Sequence, residues 1–231
     1  MAAPISPPAP ASNGLSLRST TDDTGGHANH AYGKVPPSAK RSGGRGQLTP
    51  YQQGSLDGLC GLYAIINALV FAAGSHRLLS HPIVENLFAE LLRTIDRTIG
   101  LFHALHYGID TGPLVIILGE AVASLANDHG LLVTIKRPWE HKPEISLRDL
   151  LRGLRRYHAK GAVVLIGFGG HLDHWTVAVA ISAHTMRLFD SAGVTRVSLA
   201  CCRMNREPAK AGVEHIIDAD GVFVVRMKPE R

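Results

Sequence analysis

Along the chain, the spacing of apolar positions separates helices from strands. After a small and polar run that ends at Cys60, the residues Leu62, Ile65, Ile66, Leu69, Val70 and Ala73 recur at three and four positions. That spacing predicts a helix with a wide apolar stripe over residues 60–73. Residues 82–100 open on Pro82 and set Ile83, Leu87, Leu91, Ile95 and Ile99 on one face, so an amphipathic helix is expected there. Residues 112–130 form a further helical segment, closed by Gly130. Residues 131–138 alternate weakly and stop at Pro138, which reads as a strand. Residues 146–160 predict a helix with Ser146 as its cap and Asp149 in its first turn. The near-continuous apolar run 162–168 reads as a buried strand.

A hairpin follows, with strands at about 174–181 and 186–190 around a polar turn at 182–185. Residues 195–199 and 221–227 add short strands. Helices come first and strands mostly later. This order predicts an α+β fold in which a mainly antiparallel sheet packs against the helix that starts at Cys60. No internal repeat interrupts it.

Composition changes the picture at the N-terminus. Residues 1–46 are rich in Pro, Ser, Ala and Gly and carry almost no aliphatic periodicity, so they are expected to be a disordered leader. Residues 47–231 are left as the folded domain, and 45% hydrophobic content gives it a sizeable core. No stretch reaches the roughly 18 apolar residues of a membrane span, and no secretory signal is seen. The net charge of +5 is mild, and the first 46 residues contribute +3 of it through five basic residues against Asp22 and Asp23. Arg148, Arg152, Arg155, Arg156 and Lys160 give the 146–160 helix a basic face, read as a solvated surface in preference to a dock for an acidic partner. No nucleic-acid motif accompanies that charge. Three cysteines leave no complete disulfide framework, so a reduced cytoplasmic setting is expected, with export into a reducing cytosol equally compatible.

Candidate chemistry lies in two distant segments. Cys60 stands where a loop enters a buried helix, with Asp57 or Ser55 available as caps; unpaired N–H groups and the helix dipole there favour a thiolate. Downstream, a turn centred on Ser182 would set His174 directly opposite Asp190, since opposed residue numbers then sum to 364; a register shifted by one would separate them. Cys60, His174 and Asp190 are thus candidates for nucleophile, base and orienter.

The Gln and Gly-rich loop before Cys60, His174-Trp175 on one strand and Asp190-Ser191 on the next resemble the papain-like cysteine peptidase superfamily. The stretch Asp57 to Cys60 is similar to the loop of ovarian-tumour-type deubiquitinases. HWTV followed by LFDS is similar to ubiquitin-like-protein peptidases. The resemblance covers residues 52–67 and 171–193. It implies a papain-like fold, a thiol peptidase acting on a protein or peptide (ubiquitin-like proteins included), and no cofactor. It also implies an oxyanion hole from the Cys60 N–H and a glutamine. In papain that glutamine stands six positions before the cysteine, where this chain has Gly54; Gln53, or Gln52 beside it, takes the role. Papain has an aromatic residue after the cysteine and this chain has Gly61.

Other readings stand beside this one. The same thioester would serve an acyltransferase, a transglutaminase-like enzyme or a deamidase, and a catalytically silent interaction module would keep the fold alone. His171, Asp173 and His174 invite a metal, yet neighbours on a strand point to opposite faces and no zinc spacing supports it. His103 and His106 are read as surface or core histidines, Cys201 and Cys202 as structural, Asn67 as packing, and Trp175 as a shield on the far side of the sheet.

Overall fold

Helix α1 (Cys60–Ala73) is enclosed on all sides in the computed structural model, which describes residues 48–74, 78–209 and 211–228. The stretch expected to be a leader lies outside them. Of the predicted stripe, Leu62, Ile65, Ile66, Leu69 and Val70 are buried and Ala73 is half-buried, and Ala64, Asn67 and Ala68 are buried besides. A helix apolar nearly all round belongs in a core. It lies between the sheet and two helices, α2 (His81–Ile99) and α4 (Thr111–His129).

Gly100 ends α2 at φ 82° and the chain restarts at once as α3 (Leu101–Tyr107). The sequence pattern does not predict α3, because seven residues are too few for a helical period to show. Gly130, at φ 66°, closes α4 in the left-handed conformation expected of it. Beyond it come β1 (Val133–Lys136) and α5 (Leu147–His158), where the Ser146 hydroxyl accepts from the Asp149 N–H as the cap motif predicts.

The remaining strands are β2 (Val163–Gly170), β3 (His174–Ile181), β4 (Thr185–Phe189), β5 (Arg196–Ser198), β6 (Cys202–Met204) and β7 (His215–Met227). They form one sheet with β1, in the order β1-β7-β2-β3-β4-β5, and β6 pairs separately with β7. All pairings are antiparallel except β6 with β7. Mixed helices and a mainly antiparallel sheet make this an α+β protein. β7 is longer than the 221–227 expected, since Asp218 and Asp220 interrupt the apolar pattern through which it is read.

Two cores lie on opposite faces of the sheet. Leu165, Val177, Phe189 and Phe223 meet α1, α2 and α4 on one face. Val164, Ala178, Leu188 and Val222 meet Leu150, Leu151 and Leu154 of α5 on the other. Among the described residues no helix is long and apolar enough to cross a membrane.

The β3–β4 hairpin departs from the expected register in an instructive way. Its loop joins Ser182 to Thr185, and Ile181 pairs with Met186, so opposed numbers sum to 367 beside the turn. Continued unbroken, that register would set Asp190 opposite Val177 and on the α1 face of the sheet. A bulge at Val179 intervenes, and beyond it Ala178 pairs with Leu188 and Val177 with Phe189. Extended by one position, the pairing places Asp190 opposite Thr176, not opposite His174. The shift from the expected register is two residues, an even number. Asp190 therefore shares a face with His174 as a diagonal neighbour.

Candidate active site

Cys60 is the first residue of α1, and Leu59, not Asp57 or Ser55, occupies the cap position with no side-chain hydrogen bond. Asp57 instead ties the loop together. Its carboxylate accepts from Gly54 N–H at 2.8 Å and from Leu59 N–H at 3.1 Å. The first intrahelical bond runs from Tyr63 N–H to the Leu59 carbonyl, so the Cys60 N–H lies ahead of the helical ladder. Gly58 donates to the Leu105 carbonyl at 2.8 Å, and a Cβ there would stand 2.9 Å from two carbonyl oxygens of α3. Gly61 is confined in the same way: a Cβ would meet a Leu114 methyl at 3.0 Å and Trp175 at 3.4 Å. No aromatic side chain fits after this cysteine.

His174 opens β3 at the end of the sheet. Its Nε2 and the Asp190 Oδ2 are 2.8 Å apart, with the two side chains 8% and 1% exposed. The Asp190 Oδ1 accepts from Ala192 N–H at 2.9 Å and Val194 N–H at 3.0 Å, so both carboxylate oxygens are held. With Nε2 engaged, the other ring nitrogen is left for the Cys60 sulfur. Burial alone would push His174 down, but hydrogen bonding to Asp190 and to Cys60, together with their charge, raises it to about 9. Burial would likewise push Asp190 up; the hydrogen bond and charge of His174 and the Val194 N–H outweigh it and hold the carboxyl below its ordinary value.

The glutamines are latched to the same corner. Gln53 N–H donates to the Ser191 carbonyl at 3.1 Å, and its Oε1 accepts from the Ser191 hydroxyl at 3.1 Å. Its Nε2 has no hydrogen bond among the described residues. The Gln52 Nε2, by contrast, is engaged with the Asp190 carbonyl at 3.1 Å and the Pro50 carbonyl at 3.4 Å. Gln53 is thus the glutamine with a donor to spare.

Two positioning residues escape sequence reasoning. Buried Ser191 holds Gln53, and the visible signal for it is only its place after Asp190. Asn67, read as packing, is fully buried; its amide accepts from Tyr51 N–H at 2.7 Å and donates to the Tyr51 carbonyl at 3.0 Å. It clamps the segment that carries both glutamines, and a polar residue inside an apolar helical stripe is the signal that could have revealed it. Trp175, on the face opposite His174, donates from Nε1 to the Ile109 carbonyl at 2.7 Å.

The remaining candidates do not join this site. Asp173 precedes β3 in a turn, at φ 39°, and among the described residues no three His, Cys, Asp or Glu side chains converge as metal ligands. Cys202 is buried with its thiol donating to the Ser198 carbonyl, and burial, then the neighbouring Cys201, pushes it up to about 12. In comparison with known proteins, no family model, no curated protein and no solved structure matches this chain.

Proposed function

We propose that the chain is a papain-like thiol hydrolase that cleaves a peptide or isopeptide bond through a thioester on Cys60. The observation that carries this reading is the buried His174–Asp190 pair at 2.8 Å beside a cysteine at the first position of a helix. An imidazole raised to about 9 keeps, at neutral pH, the proton it takes from the thiol. The Cys60 sulfur then attacks the substrate carbonyl, forming the C–S bond. The oxyanion is met by the Cys60 N–H and the Gln53 Nε2, donors worth about 3 kcal/mol each when well aimed. As the C–N bond breaks, the imidazolium gives its proton to the leaving amine. Water, losing a proton to His174, attacks the thioester; the C–O bond forms, the C–S bond breaks and the thiol is restored.

An activated ester tests this without knowledge of the natural substrate. Treated with p-nitrophenyl acetate, the chain should release nitrophenol in a burst and carry one acetyl group on Cys60, found by mass spectrometry and lost again in water. Acetylation spread over lysines, or persisting unchanged in Cys60→Ala, would contradict it. An added amine that captures the acetyl group faster than water does would move the reading to acyl transfer.

A further inference from the structure

A cavity of about 420 Å³ lies away from this site, between the end of α5 and strands β1 and β7. Four cations line it, Lys136, Lys160, Arg226 and Lys228, and no carboxylate does. They come from three separate parts of the chain, brought together by the fold. Thr134 pairs with Arg226 and Lys136 with Val224, so Lys136 and Arg226 are diagonal neighbours on one sheet face. Val224 belongs to the core under α5, which identifies that face. α5 packs mainly over β2 and β3, and Lys160 follows its last turn at the β1 side of the cavity. Arg156 joins the rim beside Lys136 and Lys160.

The basic face of α5 is therefore not one surface. Arg152 pairs with Asp149 at 2.8 Å and Arg155 donates to the Ser182 carbonyl at 2.7 Å. For Lys136, Lys160, Arg226 and Lys228, no carboxylate lies within ion-pair distance among the described residues. Like charges gathered in a concavity repel one another, and among the described residues no ion pair offsets them. The floor is apolar, formed by buried Val224 and Ala162 with the Tyr157 ring at the side. Concavity, clustered cations and an apolar wall suit a small ligand better than a long polyanion, which needs a continuous track.

We propose that this trough binds a small anion with clustered phosphate groups, the four cations holding the phosphates and Tyr157 flanking the body of the ligand. Counted in residues along β2 and in strand spacings, it lies roughly 20 Å from His174, so binding there is separable from chemistry at Cys60.

Calorimetric titration of the full chain with inorganic tripolyphosphate and with ATP tests this. One saturable site per chain is expected, weakened by added salt. Arg226→Glu and Lys160→Glu should each weaken binding at least about tenfold, while Arg148→Glu, the same charge change on the exposed start of α5, should stay within about twofold. Thermal midpoints verify that each variant is folded. ATP binding more tightly than tripolyphosphate, with the difference abolished by Tyr157→Leu, identifies a nucleotide; equal affinities identify the phosphates alone. No binding at low salt would overturn the proposal, as would equal weakening by Arg148→Glu. So would tighter binding of single-stranded RNA, with a salt dependence that grows with its length.

Discussion

Asp190 is held through both oxygens, and that determines what its replacement does. In Asp190→Asn the remaining carbonyl oxygen can keep the Ala192 and Val194 N–H groups, which turns the amide NH₂ toward His174. Nε2 must then accept, so the ring proton moves to the nitrogen that faces Cys60, where an acceptor is needed. We expect a folded protein whose Cys60 reacts about 100-fold or more slowly; wild-type reactivity in this variant would remove Asp190 from the site. The role proposed for Gln53 belongs to a different step. Gln53→Ala should lower acylation by p-nitrophenyl acetate about 100-fold while leaving alkylation by iodoacetamide, which forms no oxyanion, nearly unchanged. Equal losses in both reactions would mean that Gln53 only shapes the loop.

Among elements, the sheet and α1 position these residues through contacts that can be tested separately. Asn67→Leu leaves the Tyr51 N–H and carbonyl without partners inside the protein and should cost about 1–3 kcal/mol in denaturant unfolding. It should also reproduce the split of Gln53→Ala, because it frees the segment that carries that glutamine. A Cβ at Gly167 would stand 2.8 Å from the Trp175 ring, so Gly167→Ala should displace the indole and cost about 1–3 kcal/mol. Much of this is legible in the sequence. The stripe from Leu62 to Ala73, the run 162–168 and the polar turn after Ile181 locate α1, β2 and the hairpin, because burial there imposes a period. The side-chain meeting of His174 and Asp190 is harder to read. It depends on a one-residue bulge at Val179, and no turn residue in that apolar strand announces it. α3 and β6 are too short to show a period at all, and Ser191 and Asn67 act through hydrogen bonds that pairing patterns do not encode.

For the molecule as a whole, the coupled pair ties stability to pH from both sides. His174 is raised in the folded state, so its contribution is fully present below its unfolded value of about 6.5 and is lost as pH rises through about 9. Asp190 is lowered, so its contribution is present above the ordinary carboxyl value and is lost as pH falls through the folded one. The thermal midpoint should therefore fall as pH rises from about 6.5 to about 9, and fall again below about pH 4, by about 2–4 °C for each kcal/mol lost. His174→Gln should flatten the alkaline fall. An alkaline limb of the same steepness in that variant would assign it to other groups.

Whether His174 activates Cys60 is read from the rate of thiol alkylation at each cysteine against pH. Cys202, pushed up to about 12 in its buried position, is the internal standard of an inert thiol. We expect Cys60 in the wild type to be labelled rapidly below about pH 7, where an unperturbed thiol is mostly protonated, and His174→Ala to lose that labelling. Slow labelling of Cys60 that is indifferent to His174 would rule out the activated pair and leave the cysteine as a packing residue at the head of α1.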